Sequence, residues 1–185
     1  QEPKLLILEY KGSSERPIAL VGKGVTFDAG GYNLKPSGHM ETMKCDMGGA
    51  AAVFGAIKAA SEMKVKKHII ALMPLCENLV NGSAYKPGDI LRAYNKKTIE
   101  IGNTDAEGRL ILADAISYAE EKYKPKILID LATLTGACVV ALGEQISGLM
   151  SKDDNLSKEL EDAGLSSHDR VWRLPMLEEY QDAMK

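Results

Sequence analysis

The chain has 185 residues, enough for one domain with a sizeable core, and its 45% hydrophobic and 26% charged content is ordinary for a soluble globular protein. A formal net charge of −3 argues against a general affinity for nucleic acid or an anionic membrane surface, since both need a basic excess. Cys45, Cys76 and Cys138 form no CxxC pair, which argues against a disulfide framework or a zinc ribbon and fits a reducing cytoplasm.

No apolar run approaches the roughly 20 residues needed to cross a bilayer, and the N-terminus carries no secretory pattern. The sequence opens without Met directly into a strand-like run, so it reads as a piece cut from a longer protein.

Leu5–Tyr10 and Ile18–Val21 are short apolar runs bounded by Gly, Ser and Pro, and they predict buried strands. The glycine-rich stretch Gly22–Gly31 follows. Gly48–Met63 is Ala-rich, with Val53, Ile57 and Ala60 at helical spacing, and predicts a helix packed closely on a sheet. His68–Leu75 is a further strand, closed by Pro74, and Cys76–Asp89 reads as loop. Asn95–Lys97 looks like a turn before a short strand at Thr98–Ile101. Arg109–Lys122 is an amphipathic helix, with Leu110, Ala113, Ala115, Ile116 and Ala119 between charges. Ile127–Leu131 is a buried strand. Asp153 or Asp154 caps a helix that runs to a Gly164 stop, and Leu177–Met184 forms a last helix. Strands alternating with helices predict an α/β domain with a largely parallel sheet. No repeat, low-complexity segment or linker marks a second domain.

Three segments carry chemistry. In Asn103–Arg109, Asp105, Glu107 and Arg109 alternate, so an extended backbone would point all three to one side, ahead of a helix N-terminus. Two adjacent carboxylates share a proton or hold a cation; a polar turn with Asp105 or Thr104 capping the helix is the plainer reading of the spacing alone. In Val21–Gly31, glycines after a strand suggest close backbone approach to a ligand. A phosphate loop fits poorly: Gly follows Lys23, and Phe27 stands where the third Gly of GxGxxG should be. A structural glycine turn is the alternative. In Met43–Gly49, Asp46 lies just before the Ala-rich helix, where N-capping is its plain role, and Lys35 taken alone is a surface lysine.

His39, His68 and His168 are scattered, with no HExxH spacing, and read as non-ligands. Cys45 reads as a small buried hydrophobe, because no His is placed to activate it. Taken together, Asp28, Asp46, Asp105 and Glu107 make an oxygen-rich set in loops next to strands and helices, of the kind that holds two hard divalent ions.

These segments resemble the leucine aminopeptidase family, also called cytosol aminopeptidases. NTDAEGRLILADA (Asn103–Ala115) matches that family's hallmark. VGKGVTFDAGG (Val21–Gly31), MKCDMGGAA (Met43–Ala51), PLCENLVNGSAYKPGD (Pro74–Asp89), DLATLTGA (Asp130–Ala137) and RVWRLP (Arg170–Pro175) match its other motifs in order. Ala29 departs from the pattern, standing where the family more often has a small hydroxyl residue.

The resemblance implies a mixed, largely parallel sheet flanked by helices on both faces, of the phosphorylase/hydrolase-like aminopeptidase type. It implies hydrolysis of the first peptide bond of peptides with a free N-terminus, releasing single, apolar residues. Lys23, Asp28, Asp46, Asp105 and Glu107 are then the ligands of two divalent ions, zinc or manganese, with magnesium or cobalt as alternatives. Lys35 and Arg109 are the catalytic residues, Arg109 holding bicarbonate as the base. Met43, Thr133 and Gly136 line the pocket for the first side chain. The family also implies a cytoplasmic homo-hexamer, with an N-terminal domain and a C-terminal part of the catalytic domain beyond this segment, and with no membrane partner. The competing readings are a non-catalytic scaffold or nucleic-acid-binding member of the same fold, disfavoured by the intact ligand set and the net charge, and a glycine-loop nucleotide binder, disfavoured by the failed spacing.

Overall fold

The computed structural model describes residues 2–180 and divides into two compact units, residues 1–134 and 135–185. In the first unit, β1 (Lys4–Lys11), β2 (Ile18–Gly22), β3 (Gly24–Asp28), β4 (His68–Asn78) and β7 (Ile127–Leu131) form one mixed sheet. The strand β4 is its centre: β1 lies antiparallel along one side, and β2 and β3 lie parallel along the other. The remaining pair, β2 with β7, is also parallel. A small antiparallel hairpin, β5 (Ile90–Arg92) and β6 (Thr98–Glu100), stands apart from this sheet.

Helix α1 (Gly48–Glu62) covers one face and α2 (Glu107–Tyr123) the other. Alternation along β4 makes this possible, because successive side chains leave opposite faces of a strand. Ile69, Ala71 and Met73 pack with Val53, Ile57 and Ala60 of α1, whereas Ile70 and Leu72 pack with Leu112, Ala115 and Ala119 of α2. The expected fold class, an α/β domain with a largely parallel sheet between helices, is the one observed.

Several local expectations need correction. The strand predicted to close at Pro74 runs on to Asn78. Proline lacks the N–H that a ladder needs, yet here none is asked of it. The pairs Val21–Leu72 and Gly24–Leu75 flank a gap in which Gly22 and Lys23 face Met73 and Pro74 without ladder pairing. At that gap the Lys23 N–H donates to Leu131 O and its carbonyl accepts from Ala50 N. The chain therefore changes partners beside Pro74, and β2 and β3 are one strand interrupted at Lys23. The strand over Leu5–Tyr10 is an edge strand with Leu5 and Leu6 well exposed, not a buried one.

The second unit holds α3 (Gly136–Leu142), β8 (Ser147–Leu149), α4 (Asp154–Ser167) and β9 (Val171–Arg173), with β8 and β9 parallel. Asp153 caps α4 as expected, accepting from the N–H groups of Asn155 and Leu156. Gly164 does not end that helix. It is buried inside it, where a Cβ would stand 2.6 Å from Asp169 O, so the returning chain demands glycine there and His168 takes the left-handed cap. The helix expected over Leu177–Met184 extends into residues 181–185, outside the described residues. Among the described residues, no helix is long and apolar enough to cross a membrane.

Candidate metal centre

Parallel strands that end together leave a crevice at their carboxyl ends, and the chemistry-bearing segments meet there. Asp28 closes β3, Asn78 closes β4, and Thr133 follows β7. Asp46 ends a single 3₁₀ turn, Met43–Cys45, that precedes α1, and Asp105 lies in a second such turn, Thr104–Ala106, leading into Glu107 at the start of α2. Neither acid caps its helix: the residues before α1 and α2 are Met47 and Ala106, without side-chain caps, and it is Asn103 that accepts from Asp105 N. Asp46 and Asp105 are thus free for other work.

Lys23, Asp28, Asp46 and Glu107 are all buried, with 4% or less of their surface exposed. The Lys23 Nζ lies 2.9 Å from Asp46 Oδ1 and 2.9 Å from Glu107 Oε1, and donates to Thr133 O at 2.9 Å. The Lys35 Nζ lies 3.0 Å from Asp28 Oδ2 and 2.7 Å from Asp105 Oδ1. One oxygen each of Asp28, Asp105 and Glu107 falls within 4.8 Å of the others, close enough to share a cation. Asp46 Oδ1 also accepts from Thr133 Oγ1 at 2.7 Å, while its Oδ2 is buried without a hydrogen-bond donor. Asp105 Oδ1 is likewise buried without a well-directed hydrogen bond, despite the ammonium of Lys35 beside it.

Burial dominates the electrostatics. It pushes the carboxyls of Asp46 and Glu107 above the usual range, against the pull of Lys23 on both. It also pulls the Lys23 ammonium down, but hydrogen bonds and charge from Asp46 and Glu107 outweigh it and leave Lys23 above the ordinary lysine value. Lys35 is raised in the same way, by Asp105 and Asp28 against burial. Four carboxylates against two ammonium groups leave more acidic than basic groups in a largely buried cluster, a set of hard oxygen donors suited to divalent cations.

The glycines serve this packing rather than a phosphate. Gly30 and Gly31 have positive φ, and a Cβ on Gly30 would come 3.0 Å from Asp105 Oδ1. The loop they open folds over the Thr104–Ala106 turn: Asn33 N donates to Thr104 Oγ1, Thr104 N donates to Asn33 Oδ1, and Thr104 Oγ1 donates to Gly30 O. With Lys35 N donating to Ala29 O, this fold-back delivers Lys35 to the acids. The lysine that looked like a surface residue is therefore largely covered.

The model of the cytosol aminopeptidase family, catalytic domain, matches residues 1–185. The chain belongs to the cytosol aminopeptidase family. It is 55% identical to a probable cytosol aminopeptidase of Nitrosomonas europaea and 52% identical to one of Protochlamydia amoebophila, covering all of this chain and 37% of each relative. Its fold matches the solved structure of a leucine aminopeptidase from Caenorhabditis elegans, with a TM-score of 0.91 and 42% identity over 95% of this chain and 36% of that one. The chain thus spans little more than a third of the length of these cytosol aminopeptidase relatives.

The remaining candidate positions lie as follows. Arg109 is exposed on the first turn of α2, with no ion pair or hydrogen bond among the described residues. Met43 is half-buried in the 3₁₀ turn before Asp46, and Gly136 opens α3 in the second unit. Cys45, expected to be buried, is exposed, because its turn directs Asp46 rather than Cys45 inward. His68 bonds Glu9 and Glu15 O, and neither it nor any cysteine belongs to the acidic cluster. Sequence reasoning assigns no role to Asn78 or Tyr85 and only a helix cap to Thr104, yet the side chains of all three tie the acidic loops together. Asn78 is legible only as one polar residue of the expected loop Cys76–Asp89.

Proposed function

We propose that this chain is the metal-binding part of an aminopeptidase that removes single, apolar amino acids from the N-termini of peptides. The observation that carries the proposal is the convergence of Asp28, Asp46, Asp105 and Glu107 from separate segments around Lys23 and Lys35, with Asp46 Oδ2 buried and unpaired. Those four acids and Lys23 would hold two divalent cations, zinc or manganese, with magnesium or cobalt as alternatives. Bound there, the cations supply Lewis acidity, which lowers the proton affinity of water and polarises the scissile carbonyl.

The chain's own groups would do the rest. Lys35 lies beside Asp28 and Asp105, where its ammonium can face the oxygen on which negative charge develops. Asp46 would assist in receiving the substrate's free N-terminal amine, which ties cleavage to the chain end. Arg109 keeps its proton at neutral pH, so its part is to hold an anion; the resemblance makes that anion a bicarbonate that accepts the proton of the attacking water. Assembly as a homo-hexamer belongs to the same proposal.

The test uses the full-length protein: metal content by elemental analysis, and hydrolysis of a panel of aminoacyl amides before and after chelation. Loss of hydrolysis on chelation and its return with divalent metal support the reading. Full activity in a metal-free preparation would sink it.

A further inference from the structure

Asn78 stands at the end of β4, 5% exposed, where it meets both Asp28 and Glu107. Its amide nitrogen donates to Asp28 Oδ1 at 2.9 Å, to Thr104 O at 3.0 Å and to Glu107 Oε2 at 3.3 Å. Three acceptors around one atom identify that atom as the nitrogen, since an amide oxygen there would face only lone pairs. The two carboxylates are thereby divided oxygen by oxygen. Asn78 holds Asp28 Oδ1, which Gly30 N also binds at 2.9 Å, and the other oxygen, Oδ2, faces Lys35. Asn78 likewise holds Glu107 Oε2, and the other oxygen, Oε1, faces Lys23.

We infer that Asn78 is a positioning residue: it pins one oxygen of Asp28 and one of Glu107, so that the other oxygen of each is presented to the cations. A neutral donor suits this task. An ammonium or guanidinium at position 78 would pin the same oxygens but cancel the charge that attracts a cation, and a carboxylate there would repel them. Its third bond, to Thr104 O, reaches the carbonyl just before Asp105, which Tyr85 OH also binds at 2.7 Å. One amide thus sets the relative position of three of the four acids. Partners of this kind orient ligands without touching the metal, and their loss typically costs about 10–100-fold in metal affinity or activity.

The inference rests on the metal-centre reading above, and the experiment separates the two. In the full-length protein, Asn78→Leu removes both donors at similar volume, and Asn78→Ser, which is smaller, serves if the leucine variant does not fold. Zinc affinity is measured by competition with a chromogenic chelator, and the cobalt-loaded protein by its visible absorption, which reports ligand number and geometry. The expected result is a fall in affinity of about 10–100-fold, an altered cobalt spectrum, and a lower kcat at saturating metal with KM little changed. Wild-type affinity and an unchanged cobalt spectrum, with only a lower melting temperature, would reduce Asn78 to a packing residue and overturn the inference. A wild-type protein that takes up no divalent cation would instead overturn the proposed function, and the inference with it.

Discussion

Gly108, the second residue of α2, lies against the Lys23 side chain: a Cβ at position 108 would stand 2.7 Å from Lys23 Cε and 2.9 Å from both Cδ and Nζ. Such a lysine would ordinarily swing aside. Here its Nζ is pinned by Asp46, Glu107 and Thr133 O, so moving it breaks those contacts. In Gly108→Ala the helix gains about 1 kcal/mol from propensity, and overpacking costs about 1–3 kcal/mol, so the net change is a loss of about 0–2 kcal/mol of stability. Metal affinity should fall about tenfold or more, since the displaced group is a proposed ligand. A melting curve and a chelator competition on the same sample separate the two effects; unchanged affinity would mean that Lys23 can move without cost.

Lys35 differs from Lys23 in being a counter-charge rather than a proposed ligand. It sits on Asp28 and Asp105, so Lys35→Ala leaves the cluster more negative and should keep bound metal at wild-type level or above. If its ammonium faces the developing oxyanion, kcat falls by about 10²–10³, or roughly 3–4 kcal/mol. Steady-state kinetics with parallel metal analysis check this. A variant with unchanged kcat removes Lys35 from the chemistry, and one that has lost its metal makes Lys35 a structural residue.

The contrast between these two lysines marks how much of the site was readable. The acids were visible because each lies in a glycine-rich loop beside a predicted strand or helix, and the motifs around them are specific. The lysines were not: Lys23 between two glycines imitates a phosphate loop, and Lys35 has nothing in its neighbours to say that the loop folds back onto Thr104. The sheet itself was legible from periodicity. Its central strand runs past Pro74, which reads as a breaker in the sequence, and only the tertiary pairing reveals that this proline lies beside the gap at Lys23. Gly164 misled for a related reason, since a glycine demanded by a distant backbone looks like one that ends a helix. Asn78 has long-range partners at Asp28, Thr104 and Glu107, and no local pattern encodes them.

The raised Lys23 value makes metal binding pH-dependent with a definite sign. A lysine whose folded value exceeds its unfolded one, about 10.4, contributes stability that is fully present below the unfolded value and lost as pH rises through the folded one. The metal-free protein therefore keeps the Lys23 contribution through the neutral range and loses it only in strong alkali. A cation that takes the Lys23 nitrogen must expel its proton, so affinity should rise about tenfold per pH unit from this group. Calorimetry in two buffers of different ionisation enthalpy counts the protons. Lys23→Met should release about one fewer than the wild type; equal release would exclude Lys23 as a ligand.

End-specificity should trace to Asp46. One of its oxygens is fixed by Lys23 and Thr133 Oγ1, at 2.9 and 2.7 Å, and the other is buried without a donor. An unpaired buried carboxylate oxygen is costly, and a cation or an ammonium group relieves it. A substrate with a free N-terminal amine supplies donors there, and an acetylated one replaces them with a bulkier amide that cannot carry the charge. Acetylated peptides should therefore be poor substrates and weak competitors of the free-amine forms, with the loss expressed in kcat/KM. Asp46→Asn should narrow that discrimination, because its amide nitrogen can supply a donor where the carboxylate only accepts. Because Asp46 is also a proposed ligand, assays of paired free and acetylated dipeptide amides on both forms of the full-length protein, each at saturating metal, decide the matter. Efficient cleavage of the acetylated series by the wild type would contradict an exopeptidase site, and equal discrimination by Asp46→Asn would move the recognition of the amine away from Asp46.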